Sequence, residues 1–166
     1  MSTRSPRSRK PIDPIAQLMQ EHDMALVHLS SLSTATKAIA KEGFSIQHFR
    51  KVRRAMEFID DEISVHNRSE EEALFPVLER YVEGPTKLMR KDHREMKVKF
   101  THLRRAVTRL EKKRHDQTAA DGLYAVSTVI IQLFVNHIHK ENHILFPLVQ
   151  KFLTKDALRE VARRML

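Results

Sequence analysis

Cysteine is absent from the 166 residues, and glycine and proline number only three and six. The missing thiol excludes disulfide frameworks, thiol catalysis, thiolate zinc sites and cysteine-bound iron–sulfur clusters. So few glycines and prolines cannot supply the turns of a many-stranded β fold. No apolar run approaches the roughly 20 residues that span a bilayer, so no membrane partner is expected. Aromatics make up 6% of the chain. They do not interleave with basic residues, and no recognition motif for nucleic acid stands out, so nucleic acid is not the expected partner.

The chain is nevertheless rich in charge. Charged residues are 31%, apolar residues 41%, and the net charge is +9. That balance is too apolar for a disordered chain and too charged for a membrane protein. Arg4, Arg7, Arg9 and Lys10 stand in a segment without apolar side chains after Met1. Residues 1–13 are therefore expected to be a disordered basic arm. The arm lacks the apolar core of a secretory signal. Ten histidines and 21 acids remain for chemistry.

Residues 14–166 read as helices. After Pro14 a stripe runs Ile15, Leu18, His22, Ala25, Leu29, Leu32, Thr36, Ile39, in steps of three and four. Such steps keep one helix face buried. Gly43 stands where a C-terminal cap belongs, and Ser45 can cap the next helix. The second stripe is Phe49, Val52, Met56, Ile59, Ile63, His66, Glu70, Leu74, and Gly84-Pro85 breaks it. A third runs Met89, His93, Met96, Phe100, Leu103, Val107, Leu110. Lys113 to Thr118 is polar and reads as a loop. The fourth is Leu123, Val126, Ile130, Leu133, His137, Glu141, Ile144, Leu148. Lys155 to Leu166 forms a short amphipathic tail. The expected fold is all-α: an up-down-up-down antiparallel four-helix bundle with a short C-terminal helix. Met19, Met56, Met89 and Met96 are expected to fill core space.

Six polar residues sit on these apolar stripes: His22, His66, Glu70, His93, His137 and Glu141. Buried carboxylates and imidazoles cost several kcal/mol unless paired or metal-bound. They also repeat. At an offset of 71 residues His22 falls on His93, His66 on His137, Glu70 on Glu141, and Phe75-Pro76 on Phe146-Pro147. Each copy is a lone His followed by His-x-x-x-Glu-x-x-x-x-Phe-Pro. Two copies related by pseudo-symmetry give two equivalent ligand sets, the arrangement of a two-metal site. Their heights agree too. His22 lies 21 residues before Gly43 and His66 23 after it, a mismatch of about 3 Å along antiparallel helices.

Four imidazoles and two carboxylates suit iron, with manganese or zinc a poorer fit. Two six-coordinate irons take about twelve bonds. Four His, two bridging Glu and one bridging oxide or hydroxide leave about two positions open for a small ligand. His139 and His143 form a competing His-x-x-x-His pair. His139, however, points about 200° away from His137, and the repeat selects Glu141 rather than His143. His28, His48, His102 and His115 fall off the stripes and are expected at the surface. Glu71 is a candidate for contact with a ligand from outside.

The pattern His22, His66-Asn-Arg-Ser-Glu70-Glu-Glu-Ala-Leu-Phe-Pro76, His93, His137-Ile-His-Lys-Glu141-Asn-His-Ile-Leu-Phe-Pro147 resembles the hemerythrin-like, or HHE cation-binding, domain family. The resemblance covers about residues 14 to 150. It implies a non-heme di-iron centre inside a four-helix bundle, with the six residues as metal ligands and the two Glu as bridges. Oxygen-carrying members resemble a pattern with a fifth His one turn after the third-helix His. Lys97 stands there in this sequence. They also have an Asp near the end of the fourth helix, where this chain has Glu141. The departure favours redox chemistry or sensing over reversible oxygen carriage. The expected function is a cytoplasmic di-iron protein that binds or reacts with dioxygen, peroxide or nitric oxide, peroxide breakdown being the most concrete enzymatic form. The alternative is an iron or oxygen sensing or storage protein without turnover. An electron donor is implied but unidentified, and a monomer or homodimer is expected.

Overall fold

The computed structural model describes residues 13–165. The expected basic arm lies outside the described residues except for Asp13. Asp13 is not part of an arm: its Oδ1 accepts from the backbone N–H of Ile15 at 3.0 Å and caps the first helix. A short side-chain acceptor at this position satisfies donors that the first helical turn leaves free.

The described residues contain five helices and no strand. Helix α1 is Pro14–Glu42. Helix α2 runs without a break through Ile46–Phe58, Ile59–Ile63, Ser64–Ser69, Glu70–Leu74 and Phe75–Leu78. Helix α3 is Thr86–Lys112. Helix α4 is Gln117–Phe152, and α5 is Lys155–Arg164. Gly43 ends α1 with φ 95°, a backbone conformation that favours glycine. Ser45 sits at the start of α2, but its side chain caps nothing. Asp116 caps α4 instead, accepting from the Thr118 N–H at 3.0 Å, so α4 begins before the expected loop ends.

Helix α1 packs against α2 and α4, and α3 packs against α4. The α1 and α3 stripes are buried throughout as expected. The α4 stripe is corrected. Ser127 and Phe134 are buried, whereas Val126 and Leu133 are half-buried. Both tracks step by three and four between Leu123 and His137, and both sides of α4 are apolar, so spacing alone does not choose. Packing of Phe134 on Phe100, ring centroids 5.3 Å apart, chooses. On α2, Ala55 is buried and Met56 only half-buried. Met19 is exposed rather than in the core.

Three stretches widen from α-helix to π-helix: Ile59–Ile63, Glu70–Leu74 and Glu141–Leu145. The last two begin at the repeated Glu and end just before Phe-Pro. Phe75 and Phe146 donate their N–H to the carbonyls of Glu70 and Glu141, five residues back. Proline cannot donate, and its ring collides with a carbonyl four residues back in a regular helix. One extra residue per turn removes that collision. It also moves the stripe: Leu145, Phe146 and Val149 are buried, and Ile144, expected inside, is exposed.

By length and composition α4 is apolar enough to cross a membrane, with a third of its most apolar stretch buried. Its inward face packs on α1 and α3 and carries His137 and Glu141, both at most 2% exposed, while Val129, Val135 and Ile144 face outward.

Candidate metal centre

The six polar residues meet at one level. Helix α1 brings His22, α2 brings His66 and Glu70, α3 brings His93, and α4 brings His137 and Glu141. Both carboxylates are fully buried, and no imidazole is more than 6% exposed. Each His and Glu one turn apart on α2 and α4 face the same way, as i and i+4 must.

Glu141 lies between the two halves: its Oε2 is 2.9 Å from His22 Nε2, and its Oε1 is 2.9 Å from His137 Nε2. Glu70 mirrors it, with Oε1 3.2 Å from His66 Nε2 and Oε2 3.3 Å from His93 Nε2. The imidazoles also meet in pairs. The Nε2 atoms of His22 and His66 are 3.1 Å apart, and those of His93 and His137 are 3.0 Å apart. Two four-residue nests result. His22 and His66 form one with both Glu; His93 and His137 form the other with the same two Glu. Within each nest the ligand atoms lie within 4.8 Å of one another.

The opposite ring nitrogens point outward, each to a fixed acceptor. His66 Nδ1 is 2.6 Å from Glu21 Oε2, and His93 Nδ1 is 2.7 Å from Glu71 Oε1. His137 Nδ1 is 3.2 Å from Asp92 Oδ2, and His22 Nδ1 is 2.8 Å from Asn142 Oδ1. A proton held on Nδ1 by these acceptors leaves the Nε2 lone pair facing inward. Sequence reasoning flagged Glu71 but missed Glu21, Asp92 and Asn142. The signal was available: the offset of 71 that relates the ligands also carries Glu21 onto Asp92 and Glu71 onto Asn142. The stacked rings obey it as well. Phe146 lies over His22 at 5.5 Å and Phe75 over His93 at 6.1 Å, each tilted by 17°.

The centre fits a cation better than a hydrogen-bond network. All four carboxylate oxygens of Glu70 and Glu141 are buried without a well-aligned hydrogen-bond partner, although imidazole nitrogens stand close by. Burial works against charge on both residue types, yet charge wins. Desolvation pushes His93 down, but Glu141 and Glu70 raise it to about 10. Burial opposes the charged form of His66 too, and Glu70 leads the contacts that hold it well above its ordinary value. Glu141 is held well below the carboxylate range by His137, His22, His66 and His93, against its own burial. Two buried carboxylates and four inward Nε2 atoms, each free to coordinate once its proton leaves, form a donor set that a divalent or trivalent ion satisfies.

Of the other histidines, His139 and His143 are exposed, their rings 4.3 Å apart and turned away from the centre. His28 and His48 are half-buried rather than at the surface, His28 stacked on Phe58 at 3.9 Å; His102 and His115 are exposed as expected. Lys97 is exposed and lines a cleft of about 390 Å³ between α2 and α3 that reaches His93. A second cleft, of about 450 Å³ between α1 and α2, reaches His66 past Glu21 and Met24.

An all-helical protein whose helices converge on a buried four-His, two-Glu cluster is a cation-binding helical domain in construction. The sequence matches the hemerythrin HHE cation-binding domain over residues 13–149. The chain belongs to that family. No curated protein matches it significantly.

Proposed function

We propose that the chain is a di-iron protein built as an up-down-up-down antiparallel four-helix bundle, and that it binds or reacts with a small oxidant: dioxygen, peroxide or nitric oxide. Short connections and the pairing of α1 with α2 and α4, and of α3 with α4, support the bundle topology. The observation that carries the metal reading is the set of four buried carboxylate oxygens without aligned hydrogen bonds, each facing imidazole Nε2 atoms.

His22 and His66 would hold one ion and His93 and His137 the other, with Glu70 and Glu141 within reach of both. When bound, the pair of irons supplies electrons to, or accepts them from, a ligand at its open positions. The chain does the rest. Glu21, Glu71, Asp92 and Asn142 fix the imidazole tautomers and orientations. Phe75 and Phe146 cover His93 and His22 and keep water from that side. The cleft past Lys97 and Glu71 admits a molecule of a few atoms to the side of His93. Peroxide breakdown is the most concrete reaction this allows.

Metal content and an ultraviolet–visible spectrum of protein purified in air test the proposal. About two irons per chain are expected, with charge-transfer bands lost in His66→Ala and Glu141→Ala. Peroxide consumption with many turnovers per chain supports catalysis. Stoichiometric reaction favours the sensing or storage role. A chain that takes up no metal, and whose stability those substitutions leave unchanged, overturns the reading.

A further inference from the structure

The two nests are related by the offset of 71 residues, yet one matched pair of acceptors differs in charge. Glu71 accepts from His93, and Asn142, its counterpart, accepts from His22. A carboxylate on Nδ1–H makes an imidazole a stronger donor to metal, and a neutral amide only orients it. We infer that Asn142 makes the centre unequal: the ion held by His22 and His66 binds more weakly than the ion held by His93 and His137, and is lost first. This rests on the di-metal reading above.

A second departure from symmetry runs the other way and must be weighed. Lys140 also binds Asp92, the acceptor of His137. Its counterpart on α2 is Ser69, which bonds the Val65 carbonyl instead. The lysine draws on Asp92, so His137 receives less than a full carboxylate. Asp92 still meets His137 Nδ1 with a carboxylate oxygen, at 3.2 Å. At Asn142 there is no charge to share. The sum is one carboxylate and one amide around His22 and His66, against one carboxylate and one lysine-shared carboxylate around His93 and His137. Outer-partner changes of this kind shift metal affinity by about 10–100-fold.

The experiment is an anaerobic titration of metal-free protein with ferrous iron against a competing colorimetric chelator. Two binding steps about 10–100-fold apart are expected. Repulsion between two ions would also split the steps, so the variants decide. Asn142→Asp keeps the shape and adds the missing charge: the weak step tightens toward the strong one. Glu71→Gln removes the charge on the other side: the strong step weakens toward the weak one. The gap therefore narrows in both variants, from opposite ends, and circular dichroism verifies that each is folded. If Asn142→Asp does not fold, Glu71→Gln carries the test alone. A gap unchanged or widened in a folded variant overturns the inference, as does a single two-ion step in the parent protein. A parent protein that binds no iron overturns the di-metal reading instead.

Discussion

The polar layer divides the interior into two apolar cores of different construction. The larger joins Ala25 to Ile39 of α1 with the first part of α2, α3 beyond Met96 and the first part of α4. The smaller gathers Ile15, Leu18, Leu74, Phe75, Leu78, Met89, Leu145 and Phe146 around Ala157 and Val161 of α5. The larger core lies on the Gly43 side of the ligands, and regular three-and-four spacing runs through most of it. The smaller core begins at the two ligand-bearing π turns, turns at Phe-Pro, and is closed by α5 under the Thr154 cap. The first is helix packing with one π turn, Ile59–Ile63, that carries no ligand. The second shares its backbone and its aromatic rings with the metal ligands. The larger core therefore supplies stability alone, while the smaller couples stability to the shape of the site.

One truncation in each core separates the two roles. Phe146→Ala removes a fully buried ring that also lies over His22. It is expected to cost about 3–5 kcal/mol of stability and to lower iron retained per chain. Leu103→Ala in the larger core is expected to cost about 2–5 kcal/mol with iron content unchanged. Chemical denaturation and metal analysis of both variants measure this. Equal iron loss from the two would mean that the cores are not functionally distinct.

Much of the larger core was legible because α1 and α3 keep one period through it. The α1 and α3 stripes needed no correction, and all six polar residues of the centre could be picked from their phase and their repeat. What failed to show in the sequence lay in two places. On α4, Val126 and Ser127, and Leu133 and Phe134, offered equivalent tracks, and only contact with Phe100 separates them. Past Glu141 the π turn adds a residue that no fixed period anticipates, which is why Ile144 is exposed. The acceptors Glu21, Asp92 and Asn142 were hidden differently. Each adjoins a ligand, off the buried stripe, and looks like ordinary surface polarity until a ring nitrogen is placed beside it.

The π turn gives the next prediction. Deleting Ile144 removes the extra residue and restores a plain α-helical turn while leaving both flanking faces inward. Pro147 then meets a carbonyl of the preceding turn, so the deletion is expected to destabilise by about 3 kcal/mol. Adding Pro147→Ala to the deletion should return most of that loss. Thermal or urea denaturation of the deletion, with and without the second change, measures it. A deletion as costly with alanine at 147 as with proline would mean that the π turn exists for the ligand geometry and not for the proline.

The smallest effect separates the cores by pH and concerns the metal-free protein. Without a cation, the centre is held by ionised Glu141 against protonated His66 and His93. His93 has its folded value raised from 6.5 to about 10, so its contribution is complete below pH 6.5 and is lost as pH rises toward 10. Glu141 is depressed below its ordinary 4.5, so its contribution is present above that value and is lost on acidification. Metal-free protein should therefore be most stable between about pH 4.5 and 6.5 and should weaken steadily above. In loaded protein the Nε2 lone pairs face metal and carry no proton to lose, so the alkaline decline should vanish. Leu103→Ala shifts the metal-free curve downward without changing its shape, because the larger core titrates nothing. His93→Gln removes one of the two imidazoles raised in this way, His66 being the other, and the decline above pH 6.5 should become shallower. Melting temperatures across that range, with and without iron, supply the measurement. A metal-free curve that stays flat from pH 6.5 to 10 would show that protonated His93 and His66 do not balance the buried Glu141.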